Sequence, residues 1–375
     1  MMRRGWVLSG IGLLVVAGAL FLSGRMPGVG RKREPITLGA VLSLTGPGTF
    51  IGTEVRDGLQ LAIDEINARG GINSRPLKLV IEDSRSVADG GVEAFKKLEQ
   101  NSHPDLMVGV TGIVVSALVP LAEEYQVPFI GLVSGSPRET FKDKRWSFRL
   151  WQSSESVASS VLSLLERLDV KDLAILYLND PYGNGVSQKV KPLVEAKGGT
   201  VVMVPFDPKA TKPENFQEAV SQLAGTKAVF VIGWDPHLKA AFTALRTAQY
   251  PGLIFGPETA TLPEVRKIPE AQGVYVPAPA IYNPNFIFAK ELEHKYVARY
   301  QKPLTHYAAK GYDMLILLSG LLEDQPISRE NIRSILDGGF VYSGCFGPLN
   351  AKPGDHDLPH ELYPAQIENG EIKYL

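Results

Sequence analysis

From Pro35 onward the chain alternates short, unbroken apolar runs with stretches whose apolar residues recur at helical spacing. That alternation restricts the fold more than any other feature. A strand that is apolar at every position must be covered on both faces, and the intervening helices supply the cover. Residues 36–44 form such a run, stopping at the turn-forming cluster Thr45-Gly46-Pro47-Gly48. Val55, Leu59, Ala62, Ile63 and Ile66 then share one helical face, with Asp57, Asp64 and Glu65 off it. Gly70-Gly71 ends that helix, because glycine takes up a left-handed cap without strain. Residues 77–81, 106–110 and 127–132 read as further strands, with helices at 92–98 and 114–125.

A second series repeats the pattern. Helices are expected at 154–168, 186–196, 216–223 and 238–248, the first capped by Ser153 or Ser154. Strands are expected at 173–178, 200–205, 228–232 and 253–255, with an extended segment at 272–278. Three helical stretches follow at 286–301, 306–322 and 329–336, then paired strands around Asn369-Gly370. Each series is too short for a barrel. The expectation is an α/β protein of two doubly wound parallel-sheet lobes, with a shared cleft beyond the carboxyl ends of the strands.

Residues 1–33 stand apart. Arg3 and Arg4 precede an uncharged stretch from Gly5 to Gly24 with a dense apolar centre. A basic start followed by an apolar run targets a chain to a membrane. Ala17-Gly18-Ala19 offers a signal-peptidase site, yet a run of about 20 residues also suffices to span a bilayer. A cleaved signal peptide and an uncleaved anchor are therefore both open. The expected location is periplasmic or extracytoplasmic, with anchoring in the inner membrane as the variant.

Several classes of function are disfavoured. Lys+Arg number 39 against 40 Asp+Glu, so there is no basic excess to hold nucleic acid. The single cysteine, Cys345, permits no internal disulfide and no cysteine-rich zinc site. No G-x-S-x-G elbow, Walker loop or H-E-x-x-H spacing occurs. His356 and His360, near Asp355 and Asp357, read as part of a solvated loop rather than a metal site. No cofactor is expected, and binding rather than catalysis is the expectation.

The specific strings lie at strand ends. Leu44-Thr45-Gly46-Pro47 leads through Gly52 into a helix closing on Ala62-Ile63-Asp64-Glu65-Ile66-Asn67-Ala68-Arg69-Gly70-Gly71. Ser134-Gly135-Ser136-Pro137, Asp180-Pro181-Tyr182-Gly183-Asn184-Gly185, Gly233-Trp234-Asp235-Pro236, Gly256-Pro257-Glu258 and Gly311-Tyr312-Asp313 follow in order. From Pro35 to the C-terminus the chain resembles the type I periplasmic solute-binding proteins of ABC transporters. It is similar to their branched-chain amino-acid-binding (leucine/isoleucine/valine) members. The resemblance implies three chain crossings, near Trp151, Ala278 and Phe346. One lobe would then comprise 34–151 and 279–345, the other 152–278 and 346–375.

The resemblance also implies site residues. Glu258 matches the acid that pairs with a ligand α-ammonium, a charge-assisted hydrogen bond. Tyr182 matches an aromatic closing over the ligand, and Trp234 stands where relatives often carry tyrosine. The ligand carboxylate would meet backbone N–H groups and hydroxyls at Thr111, Gly112 and Ile113, and at Val133, Ser134 and Gly135. Here the chain departs from the family: the turn at Thr111 is one residue shorter, and Gly135 replaces a threonine. Ile51 replaces an aromatic, making the side-chain pocket more aliphatic, and Tyr312 is placed beside the site. The implied partners are a small amino acid or analogue and an ABC permease. A membrane-tethered sensor, or a binder of amides, urea or aromatic acids, is the alternative.

Overall fold

The computed structural model describes residues 34–136, 138–223 and 225–375. The leader expected at 1–33 and Pro137 of the Ser134 loop lie outside the described residues. Five strands make the first sheet: β1 (Ile36–Leu42), β2 (Leu77–Asp83), β3 (Leu106–Val110), β4 (Phe129–Leu132) and β5 (Ser147–Arg149). They run parallel in the order β2-β1-β3-β4-β5. Helices α1 (Thr49–Ala68), α2 (Ala88–Ser102) and α3 (Gly112–Tyr125) connect them.

The second lobe begins with α4 (Ser154–Arg167), whose cap Ser153 accepts a hydrogen bond from the Ser156 N–H. It continues through β6 (Asp172–Leu178), α5 (Pro181–Ala196), β7 (Thr200–Phe206), α6 (Gln217–Ser221), β8 (Ala228–Ile232), α7 (Asp235–Thr247), β9 (Leu253–Phe255) and β10 (Tyr275–Pro279). These strands are parallel to one another. The C-terminal strands β13 (Leu362–Glu368) and β14 (Glu371–Tyr374) add an antiparallel edge beside β10. Every residue of β3 and of β8 is buried, as double-sided cover requires.

Between β10 and β13 the chain returns to the first lobe. There α8 (Ile287–Tyr300), α9 (His306–Leu321) and α10 (Arg329–Asp337) are followed by a hairpin of β11 (Phe340–Gly344) and β12 (Gly347–Ala351). Helix α9 lies directly on α1 because two glycines let the backbones touch. A Cβ at Gly58 would sit 1.9 Å from the Ala308 carbonyl oxygen, and one at Gly311 would sit 2.6 Å from that of Val55. A Cβ never approaches backbone so closely, so glycine is required at both positions.

Three features depart from expectation. β5 and the β11–β12 hairpin were not foreseen. Phe346, where a crossing was expected, lies in the hairpin turn. The chain reaches the second sheet later, between Leu358 and Leu362. Before doing so it pairs with β5, the Arg149 N–H donating to His356 O and the Leu358 N–H to Arg149 O. Finally, the histidines read as part of a solvated loop are built in. His360 is buried. His356 is held by Ser147 O at 2.9 Å and Asp337 Oδ1 at 3.0 Å. Among the described residues no helix is long and apolar enough to cross a membrane.

Candidate functional site

The strands of both sheets deliver their carboxyl ends to one place. β4 runs into Val133 to Ser136, β6 into Tyr182, β8 into Trp234 and β9 into Glu258. Val133, Gly135, Tyr182, Trp234 and Glu258 all line one small cavity, with Tyr307 from α9 and the connector Trp151 to Ser154 completing it. As the lobes stand, it holds about 10 Å³, room for roughly one water molecule.

Local sequence sets each second-lobe group. Asp180 caps α5 by accepting the Gly183 N–H at 2.7 Å, and Pro181 occupies the first helical position. This turn is tight: a Cβ at Gly183 would lie 1.9 Å from Leu178 O. It aims the Tyr182 ring onto Trp234, the two stacking at 4.5 Å between centroids and 24° between planes. Thr259 Oγ1 donates to Gly233 O at 3.2 Å, joining the Glu258 turn to the Trp234 turn. Tyr182 also reaches across to the first lobe, where Ser154 Oγ donates to Gly135 O at 3.2 Å.

Glu258 is the chemically conspicuous group. It is only 3% exposed, and its Oε2 is buried with no hydrogen-bond partner. Burial pushes its carboxyl up from 4.5 to about 7. The Tyr182 hydroxyl is likewise buried with no hydrogen bond of normal geometry, and burial, then the charge of Glu258, raises its pKa well above 10. A buried carboxylate oxygen and a buried phenol short of partners mark this cavity as the candidate site.

Behind Val133 and Gly135 the first-lobe turns are strained, and the expected residues Thr111, Gly112 and Ser134 lie there without lining the cavity. Thr111 and Val133 both adopt positive φ, 67° and 47°. For a β-branched residue this costs about 1–3 kcal/mol. The Thr111 N–H bonds Val133 O at 3.2 Å, locking the two turns together, while Thr111 Oγ1 is buried and unpartnered. Ser134 and Ser116 each share a 2.9 Å hydrogen bond with Ser136 Oγ, which donates to Gly112 O. Gly112 begins α3, beside that loop.

The remaining expected residues lie elsewhere. Ile113 is 55% exposed, and Ile51 packs half-buried against the main core. Tyr312 is not at the cavity: its hydroxyl donates to Glu65 at 2.7 Å and it faces α1. Five residues turn a helix through about 140° beyond one full circle, so Tyr307, not Tyr312, presents its ring to the cavity. Tyr307, Trp151, Ser153, Ser154 and Thr259 were not among the expected site residues. Ser153 and Ser154 gave a signal as helix caps, and Trp151 as the place where the chain changes lobes.

A second buried group sits where the connectors meet. Tyr282, after β10, shares a 2.9 Å hydrogen bond with His306 Nδ1. Trp151 packs 5.6 Å from the His306 ring and 5.7 Å from His360. Burial, then the charges of Arg266 and Lys310, holds His306 down at about 3. Burial lowers Lys310 to about 8, partly offset by Asp313 and Cys345. Among the described residues no cluster of three or more His, Cys, Asp or Glu could hold a metal ion.

Residues 35–371 match the family described as Periplasmic binding protein. The leucine-, isoleucine-, valine-, threonine- and alanine-binding protein of Pseudomonas aeruginosa is 26% identical over 220 residues, 57% of this chain and 58% of that protein. The match thus spans little more than half that relative's length. Two solved structures share the fold. The branched-chain amino-acid transporter substrate-binding protein LivJ of Streptococcus pneumoniae, in complex with isoleucine, superposes with a TM-score of 0.79 at 21% identity. That match covers 90% of this chain and 97% of LivJ. A solute-binding protein of an ABC transporter from Rhodopseudomonas palustris, in complex with 3,4-dihydroxybenzoic acid, gives 0.80 at 17% identity, covering 91% and 96%. With two parallel-sheet lobes and a sequence match running from Pro35 nearly to the end, the chain belongs to the periplasmic binding protein family.

Proposed function

We propose that this protein is a non-enzymatic, extracytoplasmic solute-binding protein. It captures a branched-chain or related apolar amino acid between its lobes and presents it to an ABC permease. The observation that carries this reading is Glu258, a buried carboxylate with one oxygen lacking a partner, within a cleft lined by aromatic rings. An α-ammonium group supplies the missing donor, and its charge restores the ionised form of the acid. Backbone N–H groups at the start of α3 and in the 133–136 loop would take the carboxylate. Entry of a leucine-sized ligand requires Tyr182 and its lobe to draw back, because the cavity as it stands is too small.

A second reading has its own support. The stacked Tyr182 and Trp234 form a flat aromatic wall, and Gly135 brings no hydroxyl to the opposite side. A protonated Glu258 can donate to a phenol or carboxylate, so an aromatic acid also fits. An uncleaved leader would make the same lobes a tethered sensor, which the mature N-terminus decides. The test between ligands is thermal unfolding with isoleucine, leucine, valine and 3,4-dihydroxybenzoate. A ligand at a hundredfold excess over its Kd adds about 2.7 kcal/mol of stability. A shift with the aromatic acid alone would reverse the choice, and no shift with any of the four would remove both.

A further inference from the structure

The 133–136 loop owes its shape to a side chain that never reaches the cavity. Arg149, at the end of β5, is fully buried. Its Nη1 donates to Ser136 O and lies 3.5 Å from Ser134 O. Its Nε donates to Asp357 Oδ1 at 2.7 Å, on the segment that pairs with β5 before the chain crosses to the second lobe. Between those two carbonyls, Gly135 O is taken by Ser154 Oγ. All three loop carbonyls are therefore drawn toward Arg149 or Ser154.

The described residues contain no cis peptide bond, and in a trans peptide the N–H points opposite to the C=O. The Gly135 N–H thus points away from Arg149, and the Ser136 N–H away from Ser154. Neither donates to any acceptor among the described residues. Both lie near the start of α3, at 3.9 and 3.6 Å from where a Cβ on Gly112 would sit. Because Asp357 balances its charge, Arg149 supplies the loop with direction more than net potential. We infer that Arg149 is a positioning residue. It holds back the carbonyls that would repel an anion, so that the 134–136 loop offers its amides to a ligand carboxylate. The inference rests on the proposed reading of that loop as a carboxylate receiver.

Lysine keeps the charge but lacks the planar fork that spans two carbonyls and Asp357. The test uses the full chain with Arg149→Lys, and with Arg149→Gln as a second variant should the first fail to fold. Calorimetry compares isoleucine with isoleucinamide, which keeps the ammonium but lacks the carboxylate. Affinity for isoleucine should fall about tenfold more than affinity for isoleucinamide, a selectivity that a general loss of structure does not produce. Independently of any ligand, amide exchange in residues 131–141 should quicken while exchange in the second-lobe strands is unchanged. Equal losses for both compounds, or unaltered exchange in that segment, overturn the assignment. If the unaltered protein binds neither compound, the amino-acid reading falls, and the exchange measurement alone decides the role of Arg149.

Discussion

Glu54 and Glu258 are each 3% exposed, yet the protein treats them differently. Glu54, on α1, accepts hydrogen bonds from Tyr296 at 3.0 Å and Thr305 at 2.7 Å, and from Lys302, which also reaches Asp57 at 2.8 Å. It ties α1 to α8 and to the start of α9 with its partners supplied by the chain. Glu258 has aromatic neighbours and an oxygen with no partner. A buried charge that is fully answered belongs to the architecture. One left short points to something from outside.

The comparison can be tested at both carboxylates. Glu54→Ala strands Tyr296, Thr305 and part of the Lys302 charge, and should cost about 3 kcal/mol in urea unfolding. A loss below about 1 kcal/mol would mean that Glu54 is not a structural tie. Glu258→Ala should do the opposite. Isoleucine binding should weaken by about 100-fold or more, about 2.8 kcal/mol at 1.4 per decade, with stability of the free protein unchanged or raised. Retained affinity in calorimetry would take Glu258 out of the ligand site.

The mildest effect is in protons. Because the folded carboxyl titrates near 7 rather than 4.5, its contribution to the stability of the free protein is fully present below pH 4.5. It is lost as the pH rises through about 7. An ammonium ligand lowers that pKa again, so binding at pH 6.5 should release protons, and the release should vanish by pH 9. Calorimetry in two buffers of different ionisation enthalpy measures this. Proton uptake at pH 6.5, or release that persists at pH 9, would contradict an ionised Glu258 in the complex.

Much of the architecture was legible because burial on both faces leaves no choice of composition. Leu106 to Val110 and Ala228 to Ile232 are apolar throughout and became central strands with the bounds expected of them. β5 was missed because three residues carry no period, and one of them is an arginine. The β11–β12 hairpin was missed because it stands apart as a two-stranded sheet, leaving Val341 79% exposed. At the cleft, Tyr182, Trp234 and Glu258 were named through the resemblance to the family, which placed them in turns just past the ends of β6, β8 and β9, and all three line the cavity. Tyr307 and Tyr312 lie on one helix, and only packing against α1 decides which faces the cavity. The strain at Thr111 and Val133 left no trace in residue type, since neither is a residue that favours positive φ.

Gly135 has a consequence of a mechanical kind. An added methyl there would stand 3.2 Å from a Tyr182 ring carbon, tighter than about nine in ten such approaches in real proteins. The fit between the jaws is therefore gauged by a hydrogen where other residues carry carbon. Even the smallest ordinary side chain would act as a shim and hold the aromatic off its seat.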